Sequence, residues 1–322
     1  NPDLKWQTTK KFNVGLTSSF FDDRLNINLD YYKERTSDMV IDMTLPPSSG
    51  STSIKANLGS QDSHGFEFSV WGKIIRTKDW EWNLSANGLY SRSTIKNISE
   101  ALKRRNEMNA SSNISSSPLQ QYREGESPSA IYAVRSAGID PASGKEIYIK
   151  KDGSYTFKYD SKDMVSCGDT NPDLQGSFST QLSYKRFSMN MYFSYRFGGE
   201  MFNSTRMAKV ENINPRYNCD LRAFTERWKK PGDVVPYLDI SLTGGSSYTY
   251  SDRFVEKDNE LWLSSLYFQY DVPMDILKRF NIQKLYVGLG TEDLFRLTSA
   301  KYERGTSYPF SRTVNMSLSV TF

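Results

Sequence analysis

Ser177-Phe178-Ser179-Thr180-Gln181-Leu182-Ser183-Tyr184-Lys185-Arg186-Phe187-Ser188-Met189-Asn190-Met191-Tyr192-Phe193-Ser194-Tyr195-Arg196-Phe197 is the stretch whose reading decides the fold. Phe178, Leu182 and Tyr184, then Phe187, Met189, Met191, Phe193, Tyr195 and Phe197, fall on alternate positions, with Ser, Gln and Asn filling most of the places between. Side chains leave the two faces of a strand in turn, so the spacing describes two strands, each apolar on one face and polar on the other. Only Lys185-Arg186 separates them, so they form a hairpin.

The same template fits outward in both directions. Phe12, Val14, Leu16 and Phe20 alternate with Asn13, Gly15, Thr17 and Ser19, and Leu25, Ile27, Leu29 and Tyr31 with Asn26, Asn28, Asp30 and Tyr32. Phe66, Phe68, Val70 and Ile74 oppose Glu67, Ser69 and Lys73; Trp80, Trp82, Leu84 and Ala86 oppose Glu81, Asn83, Ser85 and Asn87. Three further strands carry Leu266, Phe268, Tyr270 and Val272; Leu285, Val287 and Leu289; and Val314, Met316, Leu318, Val320 and Phe322. Two more are placed loosely, around Ile131–Ile139 and Glu146–Tyr155, for eleven in all.

Composition agrees with strands. The 322 residues are 37% hydrophobic and 14% aromatic, with 20 Tyr, 18 Phe and 6 Trp, which suits a pleated sheet better than helices. The 41 basic and 37 acidic residues are mixed along the chain, so no basic block points to nucleic acid. No apolar run reaches the length of a membrane-spanning helix. A spanning strand needs only about ten alternating residues, so a transmembrane barrel stays open. Residue 1 is Asn and no signal-peptide pattern follows, which suggests a fragment of a longer precursor.

Alternation also fits a soluble sandwich, such as a carbohydrate-binding module, in which the apolar faces meet as a core. Loop length separates the two. Connections at Phe21–Arg24, Arg76–Asp79, Asp140–Lys145, Lys185–Arg186 and Pro273–Gln283 are short or moderate; those at Asp42–Ser63, Thr94–Ser127, Thr156–Thr170, Gly198–Asp258 and Arg296–Arg312 are mostly long, and the two kinds alternate. Tight periplasmic turns and large outer loops give that pattern in a transmembrane β-barrel, the expected all-β, antiparallel fold. None of the apolar-register positions named above is charged, and Phe20, Phe21, Trp80, Trp82, Tyr184, Phe187, Tyr270, Phe280 and Phe322 gather beside the short turns as an interfacial belt. Bacterial barrels have an even strand number, so eleven strands with a periplasmic C-terminus put Asn1 outside and require upstream wall to close the sheet.

Specific stretches resemble a family. Asn1-Pro2-Asp3-Leu4-Lys5-Trp6, Lys10-Lys11-Phe12-Asn13-Val14-Gly15-Leu16, Asp30-Tyr31-Tyr32 and Thr36-Ser37-Asp38 are followed by Asn57-Leu58-Gly59 with Gly65-Phe66-Glu67 and by Ala137-Gly138-Ile139-Asp140-Pro141 with Gly144. Arg227-Trp228 before Pro231-Gly232-Asp233, Ser251-Asp252-Arg253-Phe254-Val255 and the terminal Val320-Thr321-Phe322 complete the series. Together, in this order along the whole of 1–322, they resemble the C-terminal half of SusC-like TonB-dependent transporters of Bacteroidetes. The resemblance implies a barrel of about 22 strands, whose second half would match the eleven. It implies a plug domain and TonB-box segment upstream, and active outer-membrane import of a glycan oligomer or peptide energised through TonB. It also implies a SusD-like surface lipoprotein as lid, with pairing of two SusCD units left open. A passive or adhesive barrel, or an outer-membrane enzyme on the same wall, are the competing functions.

Candidate sites follow from position. Loop aromatics Tyr217, Trp228, Tyr237, Tyr248 and Tyr250 could stack on sugar rings, hold the lid or pack loop on loop, and the 199–258 loop is the largest candidate for cargo or lid contact. Val314, Met316, Leu318, Val320 and Phe322 resemble the terminal signal read by the barrel-assembly machinery, or simply face outer-membrane lipid. Cys167 and Cys219 fall in neighbouring outer loops, where a disulfide or two free thiols are the alternatives. No cofactor is expected. Asp160, Asp163 and Asp169 share a loop and could gather calcium, though their spacing does not follow the EF-hand pattern. His64, the one histidine, follows Ser63 in an expected outer loop; no nucleophile elbow accompanies the pair, and a solvated loop residue is the plainer reading. Gly288-Leu289-Gly290 begins like a dinucleotide fingerprint but lacks its third glycine and helix, and reads as wall.

Overall fold

The computed structural model describes residues 4–44, 53–57, 59–111, 117–214, 216, 219–243, 249–300 and 312–322. Asn1-Pro2-Asp3, Leu58, Tyr217 and Tyr248 lie outside the described residues.

Nine antiparallel strands form one sheet in chain order. They are β1 (Thr8–Phe20), β2 (Leu25–Ser37), β3 (Gly59–Arg76), β4 (Trp80–Ile98), β5 (Leu174–Tyr184), β6 (Phe187–Phe197), β7 (Glu260–Asp271), β8 (Lys284–Thr298) and β9 (Val314–Thr321). Each strand pairs with its chain neighbours in the series, so the wall is an up-and-down meander whose edges are β1 and β9. No helix among the described residues is long and apolar enough to cross a membrane, which has no bearing on crossing by strands.

These nine are the strands that the alternation predicts. The two loosely placed ones are not in the wall, so the expected eleven is corrected to nine among the described residues. Ala130–Ala133 pairs with Val165–Asp169, and Arg135–Ile139 with Glu146–Ile149, as separate small sheets. All four residues of Ala130–Ala133 are buried. A strand covered on both sides has no polar face, so it does not alternate. Asp140–Lys145, expected as an inner turn, instead closes a hairpin inside one long outer connection, 99–173.

Cross-strand register carries the amphipathy across the sheet. Leu16 pairs Leu29, Leu29 pairs Phe68, and one residue along Thr17 pairs Asn28 and Asn28 pairs Ser69. The apolar register is uncovered: Leu16 is 59% exposed, Phe187 60% and Met316 77%. No second sheet packs on it among the described residues, which removes the sandwich. On the other face hydroxyls and amides link neighbouring strands, as in Ser63–Ser93 at 2.9 Å, Asn87–Ser177 at 2.8 Å and Ser194–Ser264 at 2.8 Å. Ser264 lies at a bulge between Leu263 and Ser265 and shifts the apolar register from Leu266 to Leu263. Beside the short turns, Trp80 meets Tyr184 at 4.3 Å and Phe187 meets Tyr270 at 4.7 Å between ring centroids, building the belt from cross-strand pairs.

Gly288 has a steric reason. The Tyr267 ring lies across it so that its hydroxyl reaches Ser317 Oγ at 3.1 Å, spanning β7 to β9, and a Cβ at 288 would fall on that hydroxyl. Gly65 does the same for Tyr32, whose hydroxyl meets Ser91 at 2.8 Å. Gly288→Val is expected to displace Tyr267 and destabilise the folded wall by about 1–3 kcal/mol, the usual cost of overpacking. Urea unfolding of the full-length receptor in lipid vesicles, beside Ser319→Val on the same face as a control, measures it.

Candidate functional site

The buried apolar residues sit mainly outside the wall. Of the nine strands only Ile95 and Leu263 contribute to the apolar core among the described residues. The two long connections 99–173 and 198–259 fold together on the side opposite the short turns. Their shared core holds Ala130, Tyr132, Val134, Tyr148 and Met164 from the first connection, and Met207, Tyr250 and Phe254 from the second. Val134 and Ser251 form a parallel bridge between them, closed by Val134 N donating to Tyr250 O at 2.8 Å and Asp252 N to Val134 O at 3.1 Å. A loop pair that buries this much apolar surface is a structured cap.

At the cap's centre is a buried ionic cluster. Arg253 donates through Nε and Nη2 to both Glu146 oxygens, each at 2.8 Å, and through Nη2 to Glu211 Oε1 at 2.8 Å. Burial alone would raise Glu146; the two-pronged Arg253 contact overrides it and holds the carboxyl below its ordinary value. At Glu211 burial prevails over a single Arg253 bond, and its carboxyl is raised. Arg227, also buried, donates to the carbonyls of Ala223, Val210, Glu211 and Leu238, tying the 207–211 turn to the 223–238 segment. Arg206 pairs Glu256 and donates to Arg253 O at 2.9 Å, joining the same network.

The stretches that carried the family resemblance converge here although they are far apart in sequence. Trp228 Nε1 donates to Pro141 O at 2.9 Å, and its ring covers Gly144, where a Cβ would clash with it at 2.6 Å. Gly232 N donates to the same Pro141 carbonyl at 2.8 Å, and Asp233 accepts from Lys229 N and Lys230 N, each at 3.0 Å. Asp252 accepts from Ser136 N at 2.9 Å, and Phe254 fills the core.

Several expected sites change on this geometry. Tyr237 and Tyr250 are 3% and 0% exposed, so they pack loop on loop and offer no face to cargo. Trp228 is half-buried. Among the described residues of the cap the open aromatics are Tyr155, Phe157 and Phe224, 69%, 56% and 43% exposed, and the first two, with Ala137, Ile147 and Thr156, line a cavity of 410 Å³. They escaped the sequence reading because they lie where alternation fails. A second cavity of 260 Å³ between the two connections is lined in part by Gln120, Tyr132, Thr170 and Phe202.

His64 is not in a loop: it lies within β3, exposed, while Ser63 is buried on the opposite face and bonded to Ser93 and Gln61. Adjacent residues of a strand point apart, so the serine–histidine pair has no shared site. Asp160 caps a short turn by accepting from Lys162 N at 2.9 Å, Asp163 accepts from Lys151 N at 3.2 Å, and Asp169 accepts from Ser129 Oγ at 2.6 Å. Their carboxylates serve separate local bonds, and no metal-holding group of His, Cys, Asp and Glu occurs among the described residues. Cys167 and Cys219 are not joined by a disulfide; each thiol is directed at a backbone carbonyl, and burial pushes Cys167 up to about 11.

A one-sheet wall with an open apolar face, a hydrogen-bonded polar face and a folded cap at one end is the arrangement expected of part of a β-barrel wall. Residues 1–214 match the profile described as TonB dependent receptor-like, beta-barrel, and the chain belongs to that family. TonB-dependent receptor P3 of Formosa agariphila is 25% identical across 100% of this chain and 35% of its own length. TonB-dependent receptor SusC of Bacteroides thetaiotaomicron is 26% identical over 73% of this chain and 24% of its own. A solved structure of the RagAB peptide importer in an open-open state superposes with a TM-score of 0.77 at 26% identity, covering 100% of this chain and 35% of that one. The chain is thus SusC-like, spans between about a quarter and a third of the length of these relatives, and takes an outer-membrane location from its family.

Proposed function

We propose that this chain is the C-terminal part of the barrel and outer cap of an active importer that takes a glycan oligomer or peptide across the outer membrane. The observation that carries the reading is the pairing of a two-faced wall with a cap of its own fold: an uncovered apolar register for hydrocarbon, a hydroxyl- and amide-lined register for a watery lumen, and an outer structure to meet cargo. Similarity to SusC and RagAB supports a SusD-like lipoprotein as partner, TonB as energy source and a plug upstream of residue 1. Trp228, with Tyr155 and Phe157, is the group of described loop aromatics placed to touch cargo or lid. Val314, Met316, Leu318 and Val320 lie along edge strand β9 and Phe322 directly follows it, where the barrel-assembly machinery would read the series.

The test uses the full-length receptor in its host. Co-purification of a surface lipoprotein, and uptake of a labelled glycan or peptide that stops when TonB is deleted, are the expected results. Uptake that continues without TonB would mark a passive barrel, and loss of the lipoprotein on replacing Tyr155 and Phe157 by Ser would place the lid on that patch.

A further inference from the structure

The apolar register ends differently in the two halves of the sheet. In β1–β4 it closes outward on the row Val14, Tyr31, Phe66 and Tyr90, joined by direct register pairs. The next row outward is Phe12, Lys33, His64 and Arg92, and the one beyond is Lys10, Arg35, Asp62 and Thr94. At the outer ends of β5–β8 the same register carries Leu174, Phe197, Leu261 and Leu297. Among the described strand residues, the basic side chains on this face lie on β1–β4, immediately outside the row Val14, Tyr31, Phe66 and Tyr90, with Arg312 alone two residues before Val314 at the outer end of β9.

Their partners do not account for them. Lys10 and Lys33 make no ion pair or hydrogen bond through their side chains among the described residues, and both are exposed, as is His64. Asp62 is the one acid in these rows, held at 3.7 Å by Arg35 and 3.8 Å by Lys96. Arg92 pairs with Asp173 and donates to Asn171 O at 3.3 Å. Lys10 and Arg35 are direct lateral partners, a like-charge pairing that repels, and Lys33, His64 and Arg92 adjoin in the row beside them. Lysines that merely stretch toward the interface would be spread around the rim; among the described strand residues those on this face lie on β1–β4.

We propose that this row binds the phosphate of an anionic lipid headgroup in the outer leaflet, whose acyl chains lie against Val14, Tyr31, Phe66 and Tyr90. Phosphate oxygens accept several charge-assisted hydrogen bonds at once and would neutralise the lateral repulsion that the sheet imposes. The proposal rests on the reading that the apolar register meets hydrocarbon.

The test uses the full-length receptor in phosphatidylcholine nanodiscs, titrated with phosphorylated lipid A, with dephosphorylated lipid A, and with inorganic phosphate as competitor, retained lipid being counted by native mass spectrometry. The wild type is expected to prefer the phosphorylated lipid. Lys33→Gln, Arg35→Gln and His64→Gln together should weaken that binding about tenfold or more, and Lys78→Gln with Lys284→Gln at the short-turn end should leave it unchanged. Equal retention by the triple variant, indifference to the lipid phosphate, or displacement by inorganic phosphate alone would each overturn the proposal. If Leu29→Lys inserted into bilayers as well as wild type, the hydrocarbon reading beneath it would fall instead.

Discussion

Replacing Arg253 by Met in the full-length receptor is expected to open the outer cap while leaving the wall folded. Arg253 is the cation for both Glu146 and Glu211, and all three side chains are buried. Removing it strands two carboxylates in a low-dielectric interior, and breaking such a buried pair costs about 3–5 kcal/mol. Met keeps the aliphatic bulk over Phe254, so the loss is one of charge more than of volume. Proteolysis through transient opening tracks the population of the open form, so cleavage within 99–173 and 198–259 should accelerate about a hundredfold or more. The heat-modifiable band of the intact barrel on a gel should persist. The pH dependence has a definite sign. In the wild type, Glu146 is held low, so its contribution is present above the ordinary carboxylate range and fades as pH falls through its depressed value. Without Arg253 both carboxyls would be raised by burial, and their protonation at lower pH removes the penalty, so the variant should recover toward wild type on acidification. A cap as protease-resistant as wild type at neutral pH would show that the cluster does not hold the two connections together.

The wall was legible because lipid on one side and water on the other impose a period of two, and Phe187 to Phe197 displays it residue by residue. The cap was not. Ala130–Ala133 is buried throughout, and Glu146–Ile149 buries Glu146 and Tyr148 while Ile147 and Ile149 are half-buried, so neither shows the contrast of a wall strand, and both read as faint ones and inflated the count. The same loss of contrast hid the difference between Tyr250, which is core, and Tyr155, which is open: one was read as a loop tyrosine and the other as the end of a faint strand, and only the packing of two connections separates them. His64 was misplaced because β3 continues outward past the apolar band, to Gly59, where the residues on both faces are polar and alternation gives no signal. The stretches that carried the resemblance did locate the cap's clasp, since Gly144, Trp228 and Arg253 are residues whose roles depend on size or charge at one point. Their meeting in space could not be read from spacing along the chain.

Leu29→Lys and Asn28→Lys, one residue apart on β2, should behave oppositely. Leu29 is midway along the apolar run from Leu25 to Lys33, between Leu16 and Phe68; Asn28 lies between Thr17 and Ser69 on the polar face. At about 3.4 Å per residue the eight steps from Leu25 to Lys33 cover roughly 27 Å along the strand, which at a tilt of about 40° rises roughly 20 Å, so Leu29 at the halfway point lies well inside an apolar band about 25 Å tall. A lysine at position 29 then faces the bilayer interior and should cost about 2–4 kcal/mol, whereas at 28 it enters water and should cost close to nothing. Because Asn28→Lys puts the same side chain on the same strand, strand propensity and net charge cancel in the comparison, and only the surrounding medium differs. Folding of the two full-length variants into lipid vesicles, followed by the folded fraction in a urea series, reads the difference. Equal folded fractions would mean that the exposed apolar register meets no hydrocarbon, and the membrane wall, with the import function built on it, would have to be abandoned.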